Sequence, residues 1–312
     1  MPTVSVVIPT YNRADYILEA IESVMSQTYR DFEIVVVDDG STDDTRQVLA
    51  DMVAAGTIQY VYQENRSKSA ARNHGIRLAK GKYIAFLDSD DLFAPTKLEK
   101  QVAFLERHPE IGFVHSWYSK FDDDGNQLGV RDTSKYTGWV YPEILLSWSV
   151  LMAVPCMLVS REVLFEVGGF DETQKWGEDL DLWRRITRIY PIDLIPEALT
   201  LVRVHSGNLS KSEAKPIVWF EDYLQKTFEQ DPSLGFVFRK RAWSKLYTNV
   251  SHNLLGTRSS RLIAQVRQCS LKAIYHWPFN PGAYFGLLAS FVPSSFRNFL
   301  LNKWRAFRNP VA

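Results

Sequence analysis

The apolar and polar positions along the first third of the chain alternate between two periods. Val4–Ile8 is a β-branched run ended by Pro9 and predicts a strand. Over Ala14–Met25 the period changes, and Ile17, Leu18, Ile21, Val24 and Met25 fall on one helical face. Glu33–Val37 predicts a second strand that runs into Asp38-Asp39-Gly40-Ser41. Ser41 or Thr42 can cap a following helix, with Asp43 and Asp44 in its first turn. Ile58–Tyr62, Ser69–Leu78 and Tyr83–Leu87 continue as strand, helix and strand. Such alternation implies right-handed strand–helix–strand units, a parallel sheet and a three-layer sandwich. Ligands of such sheets bind beyond the carboxyl ends of the strands. Those ends carry Thr10-Tyr11-Asn12, Asp38-Asp39, Gln63-Glu64-Asn65 and Asp88-Ser89-Asp90-Asp91, so four polar clusters converge on one edge.

Further along, Ile111–Phe121 predicts a strand leading into a hairpin turn at Asp122-Asp123-Asp124-Gly125-Asn126. Trp176-Gly177-Glu178-Asp179 opens a helix with Leu182, Trp183, Ile186 and Ile189 on its inner side. From there the pattern turns helical. Ala242–Leu255 and Ser260–Ile274 predict helices, Trp277-Pro278-Phe279-Asn280-Pro281 interrupts them, and Ala283–Val292 is apolar. Phe296–Phe307 mixes Phe299, Leu300, Leu301, Trp304 and Phe307 with Arg297, Lys303 and Arg305.

Charge adds an asymmetry that the net value of zero hides. Phe236–Ala312 holds 12 Lys/Arg and no acid, leaving 24 basic and 36 acidic residues for 1–235. One part suits cations and the other an anionic partner. Aromatics interleaved with cations suit a helix lying on an anionic membrane surface, or helices packed on the acidic part. No nucleic-acid-binding motif accompanies the charge. The two cysteines, Cys156 and Cys269, have no metal-ligand spacing, and the N-terminus lacks a basic leader. With no apolar run near the ~18–20 residues that span a bilayer, these features predict a cytoplasmic chain, with the inner membrane face as a peripheral site.

The chemistry gathers at Tyr83–Asp91, where an apolar strand ends in three carboxylates within four positions. Asp88 and Asp90 would share one side if the chain stayed extended, and like charges that close call for a cation between them. Carboxylate oxygens suit Mg²⁺ or Mn²⁺, which keep positions open for water and substrate phosphates.

Several stretches together carry a resemblance: Pro9-Thr10-Tyr11-Asn12-Arg13, Val37-Asp38-Asp39-Gly40-Ser41, Ala71-Arg72-Asn73-His74-Gly75, Phe86–Asp91, Gly168-Gly169-Phe170-Asp171 and Gly177-Glu178-Asp179. In this order they resemble the family 2 glycosyltransferases over about Val4–Ser210. The resemblance implies a Rossmann-like α/β/α nucleotide-diphospho-sugar transferase fold of the A type (GT-A). A catalytic domain would cover 1–215, divided into a nucleotide half to about 110 and an acceptor half beyond it. A basic, mostly helical region would follow over 216–312.

By the same resemblance, Pro9, Thr10, Tyr11, Asn12, Asp39, Arg72, Asp88 and Ser89 line the nucleotide site. An ionised Asp39 only accepts hydrogen bonds, which suits the N3–H of uracil; guanine, with its N1–H, stays open, and cytosine is disfavoured. Arg72 offers a planar fork for a base edge or phosphate. Asp88 takes the ribose position and Asp90 the metal, with His205 joining it. Asp91 either supports these groups or caps a helix near Pro95. The Gly168–Asp171 loop lies beside the donor sugar. Asp179 is the general base, Glu178 binds acceptor hydroxyls or holds Asp179, and Trp176 either stacks on an acceptor sugar or packs in the core.

The resulting expectation is a metal-dependent, inverting glycosyltransferase. It would move a sugar from a nucleotide-diphosphate donor, foremost a UDP-sugar, to a glycan or lipid-linked acceptor. The alternatives are a polyprenyl-phosphate sugar synthase and a non-catalytic sugar-nucleotide-binding protein.

Overall fold

The computed structural model describes residues 1–131, 136–146, 153–174, 177–205, 217–256 and 259–308. The chain divides into two compact units, Met1–Tyr141 with Ser149–Lys211, and Pro142–Trp148 with Ser212–Ala312.

The first unit is built on nine strands, β1 Val4–Thr10, β2 Phe32–Asp38, β3 Gln59–Tyr62, β4 Tyr83–Phe86, β5 Leu92–Phe93, β6 Phe113–Phe121, β7 Gln127–Arg131, β8 Met157–Ser160 and β9 Ile192–Arg203. Its helices are α1 Ile17–Met25, α2 Thr45–Val48, α3 Ala50–Ala54, α4 Lys68–Leu78, α5 Lys97–Arg107, α6 Arg161–Glu166 and α7 Glu178–Thr187. The strand order is β3-β2-β1-β4-β8-β6-β9-β5, with β7 paired to β6. β3, β2, β1 and β4 run parallel, in keeping with the strand–helix alternation. Beyond β4, past the reach of that alternation, the sheet is mixed, because β8 is antiparallel to both β4 and β6. A four-residue strand entered from a long connection leaves no periodic trace of its direction.

β1 is buried at every position, as a strand flanked by β2 and β4 and covered by helices must be. It runs on through Pro9 to Thr10, past the predicted end. Pro9 lies beyond Val7–Phe86, the last pair with β4, where that ladder has already stopped. Ile17, Ala20, Ile21 and Val24 of α1 pack into the core, whereas Met25 is exposed. On the other face, α4 presses close to β1. A Cβ on Gly75 would stand 2.2 Å from Val7 Cγ1, so only glycine admits this approach.

Ser41 and Thr42 cap no helix. Ser41 Oγ accepts from Asn12 N at 2.9 Å, and Thr42 N donates to Asn12 Oδ1 at 2.8 Å. Asn12, at φ 51°, thus ties the β1 loop to the loop after β2, and the helix beyond breaks into α2 and α3. In α7, Leu182, Trp183 and Ile186 are buried as expected, but Ile189 lies past the helix end and is exposed.

The second unit contains α8 Ile217–Gln230, α9 Phe236–Leu254, α10 Ser260–His276, α11 Pro281–Ala289 and α12 Ser294–Arg308. Tyr247, Cys269, Ala273 and Ala283 form one buried cluster, and Leu254, Leu255, Ile263, Val266, Ala289 and Leu301 another. Among the described residues, no helix is long and apolar enough to cross a membrane.

Candidate active site

The carboxyl ends of β1, β2 and β4 open onto a cleft of about 650 Å³, lined also by the start of α4, the start of α7 and residues 153–155. All of its walls belong to the first unit. Pro9, Thr10, Tyr11, Asn12, Asp39, Arg72, Asp88, Ser89, Asp90, Glu178 and Asp179 all line it. Trp176 lies outside the described residues. His205 is absent from that wall, but its Nε2 lies 3.1 Å from Asp90 Oδ2.

The carboxylates at the end of β4 do not stay extended. Asp91 N donates to Asp88 O at 3.0 Å, closing a turn, and the aspartates find separate partners. Asp88 accepts from Lys68 Nζ at 2.8 Å and from Arg72 at 2.9 Å. Asp90 faces His205 and, at 3.5 Å, Arg13 Nε. The expected side-by-side pair is therefore corrected: basic side chains from three other segments separate the charges. Burial alone would raise the Asp88 pKa, but the Lys68 and Arg72 charges outweigh it and hold the carboxyl far below the usual range.

Asp91 is buried, and its pKa is raised well above the usual value by that burial and by the Asp88 and Asp90 charges. It caps no helix at Pro95. Its Oδ1 accepts from Arg203 N at 3.0 Å, and Arg203 Nε donates to Asp90 O at 3.2 Å. Arg203 is itself held between the Tyr16 and Phe121 rings. The end of β9 therefore fixes the turn and brings His205 to Asp90.

On the nucleotide side, Asp39 Oδ1 accepts from Gln63 Nε2 at 2.7 Å and Arg66 N at 3.0 Å, and Oδ2 accepts from Ser67 N at 3.1 Å. These bonds shape the loop before α4, whose cap is Ser67. A carboxylate has about four lone-pair directions, so room for one donor remains. Thr10 Oγ1 and Arg72 Nε are buried without a hydrogen-bond partner, and both residues line the cleft. Orphaned buried polar atoms are uncommon and fit a ligand that completes them. Arg72 also reaches Glu178 Oε1 at 3.3 Å, joining the Asp88 wall to the start of α7.

Gly177 enters α7 at φ 73°, a conformation suited to glycine. Asp181, one turn in, is buried and bonded to Arg184 and Arg185 at 2.8 Å each. Arg185 donates on to the Val167 and Gly169 carbonyls. The Gly168–Asp171 loop packs through Phe170 N and O on Asn73 and is not among the cleft-lining residues.

The donor set of Asp90 Oδ2 and His205 Nε2 fits a divalent cation such as Mn²⁺. Among the described residues, no group of three or more His, Cys, Asp or Glu could hold a metal alone. A cation there would take its remaining ligands from water or phosphate oxygens. Sequence reasoning gave no role to Lys68, Arg13 or Arg203. The i, i+4 spacing of Lys68 and Arg72 on a helix was the available signal for the first.

A family model described as glycosyl transferase family 2 matches residues 5–168. An uncharacterized glycosyltransferase of Rickettsia bellii is 38% identical over 66% of the chain, but the match covers 29% of that protein. The chain thus spans less than a third of that relative's length. Another from Haemophilus influenzae is 38% identical over 72% of the chain and 89% of its own length. Among solved structures, residues 1–349 of TarS from S. aureus match with TM-score 0.65 at 18% identity, covering 97% of this chain and 91% of that one. The mannosyltransferase PcManGT of Pyrobaculum calidifontis, in complex with GDP-Man and Mn²⁺, matches with TM-score 0.59 at 19% identity, over 98% and 86%. These likenesses show the GT-A fold with a helical C-terminal region. On the extent of the family match, the chain belongs to glycosyl transferase family 2.

Proposed function

We propose that the chain is a glycosyltransferase that moves a sugar from a nucleotide-diphosphate donor to a hydroxyl of a glycan or lipid-linked acceptor, with inversion at the anomeric carbon. One observation carries this reading. A single cleft gathers a nucleotide wall of Thr10, Asp39, Arg72 and Asp88, in which Thr10 Oγ1 and Arg72 Nε have no partner, the Asp90 carboxylate bonded to His205, and the carboxylates that open α7.

Thr10, Asp39 and Arg72 receive the base and Asp88 the ribose. TarS has a structure with UDP-GlcNAc and PcManGT one with GDP-Man. Uracil and guanine both offer an N–H to a carboxylate, which agrees with the remaining acceptor direction of Asp39. Asp90 and His205 would hold a divalent cation, which when bound offsets the charge of the leaving diphosphate. Asp179 accepts the proton of the acceptor hydroxyl as its oxygen bonds to the anomeric carbon. The bond from that carbon to the diphosphate breaks, and its electron pair stays on the phosphate oxygen. Attack opposite the leaving group inverts the centre. Glu178, tied to Arg72, keeps the start of α7 facing the donor wall. The basic second unit suits peripheral attachment to an anionic membrane, near a lipid-linked acceptor.

Asp179→Asn tests the assignment. Donor affinity by calorimetry should stay near that of the unaltered protein, while turnover falls at least ~10²-fold, the lower range for general base catalysis. Retention of more than about a tenth of the turnover, with chemistry rate-limiting, would exclude Asp179 as the base and favour a phosphate acceptor, which needs little base catalysis.

A further inference from the structure

The three most exposed aromatic side chains among the described residues are Phe279, Tyr275 and Phe236, at 80%, 76% and 73%. They lie at one end of the second unit, where α9 begins and α10 ends. Lys240 Nζ is 5.4 Å from the Phe236 ring centre and 5.0 Å from that of Tyr275, so one cation joins the two rings. The next residue, Arg241, sits 5.9 Å from the Trp277 ring, which meets Phe279 edge-on at 5.6 Å. Neither cation has a carboxylate partner among the described residues, and Phe236–Ala312 contains no acid.

α12 presents a different picture, although the sequence marks it as the membrane-facing helix. Trp304 stacks on Phe285 at 4.6 Å and 8° and stands edge-on to His252, so its ring is engaged inside the unit. The side chain of Phe307 lies outside the described residues.

We infer that the patch of Phe236, Lys240, Arg241, Tyr275, Trp277 and Phe279 is the face that seats on an anionic phospholipid surface. This deepens the peripheral attachment proposed above and rests on it. Rings of this kind insert at the boundary between headgroups and acyl chains, while lysine and arginine beside them meet lipid phosphates. The absence of acidic groups means that nothing in the same stretch opposes an anionic surface. A second copy related by a two-fold axis would bury the two cations against the same basic patch, which like-charge repulsion disfavours.

The test is flotation of the full chain on phosphatidylcholine vesicles with and without phosphatidylglycerol. The unaltered protein should float only with the anionic vesicles and be partly released by salt. Phe236→Ser with Phe279→Ser should lower the bound fraction about tenfold, and Lys240→Gln with Arg241→Gln should do the same and remove the salt dependence. Phe296→Ser with Phe299→Ser on α12 should change it less than about twofold.

Unselective flotation or none by the unaltered protein would overturn the proposal, as would loss of binding only in the α12 pair. Persistent flotation of the Phe236/Phe279 pair, with a dimer lost in sedimentation, would assign the patch to a second copy. Donor binding measured by calorimetry on the same variants should be unchanged. Its absence in the unaltered protein would count against the glycosyltransferase reading and leave the lipid result standing.

Discussion

Lys68 engages Oδ2 and Arg72 Oδ1 of Asp88, the carboxylate assigned to the ribose. Arg72 is buried and fixed, whereas the Lys68 side chain is 41% exposed and can exchange partners. A bare nucleoside therefore competes with Lys68, while a nucleoside diphosphate can take it up as a counter-charge. Lys68→Met should strengthen nucleoside binding about two- to fivefold, as an exposed pair is lost, and weaken diphosphate binding at least about tenfold. Calorimetry with uridine and UDP, or with the guanine pair if the donor panel selects it, reads both. Changes of the same sign would mean that Lys68 does not exchange. At Asp90 the expectation is simpler. Asp90→Ala should abolish Mn²⁺-dependent donor binding and leave the circular dichroism spectrum intact, and EDTA added to the unaltered protein should do the same. Undiminished binding independent of Mn²⁺ would move the cation elsewhere.

At the scale of elements, α4 carries Lys68 and Arg72 at the height that Gly75 permits. Gly75→Ala should destabilise the protein by about 1–3 kcal/mol through overpacking against Val7. Val7→Ala removes the opposing methyls, so the double variant should lose less than the sum of the two single changes. Urea denaturation of the four proteins checks this, and strict additivity would refute the contact. The same elements show what the sequence reveals. The parallel half was legible because each strand and its helix are adjacent in sequence and carry clean periods. Thr10, Asp39 and Asp88 stand in the polar clusters read at those strand ends, whereas Arg72, on α4, and the role of each came from the resemblance. The pairing of β8, β6 and β9 was not legible, since it joins distant segments with no periodic mark. For that reason Arg203 went unnoticed as the clasp on Asp90 and Asp91, while His205 was found through resemblance to relatives and not through its place in the sheet. Similarly, Ser41 read as a helix cap because its real partner, Asn12, lies 29 positions away.

For the whole molecule, a buried lysine beside Cys156 makes stability depend on pH. Lys97 is fully buried, bonded to Gln101 Oε1 at 2.6 Å and placed over Phe93. Burial lowers its pKa from 10.5 to about 7, and the nearby Cys156 thiol, pushed up to about 12, stays neutral throughout that range. Between pH 7 and 10.5 the unfolded chain holds a proton that the native state has released, so this group makes stability rise with pH there. Below pH 7 both states are charged, and the full cost of burial, roughly 3–5 kcal/mol, is present. Lys97→Met should therefore stabilise the protein at pH 6, with an advantage that shrinks towards pH 10. A pH-independent gain in urea denaturation would contradict the shift.

The strand order has a consequence for how the cleft moves. β4 and β5 are separated by the five residues 87–91, yet they stand fourth and eighth in the sheet. In a flat sheet those places would be about 19 Å apart, close to the full stretch of six residue steps. The link is not stretched, because it contains the turn from Asp88 to Asp91. The sheet must therefore curl until its far edge returns over the end of β4, with that link as the seam. Curvature of the sheet and spacing of the aspartates then become one mechanical variable. Any breathing that flattens the far strands pulls on the seam, and any ligand that tightens the seam stiffens strands well away from it. In hydrogen–deuterium exchange, the Asp91 and Arg203 amides should open together and slow together when donor and Mn²⁺ are added.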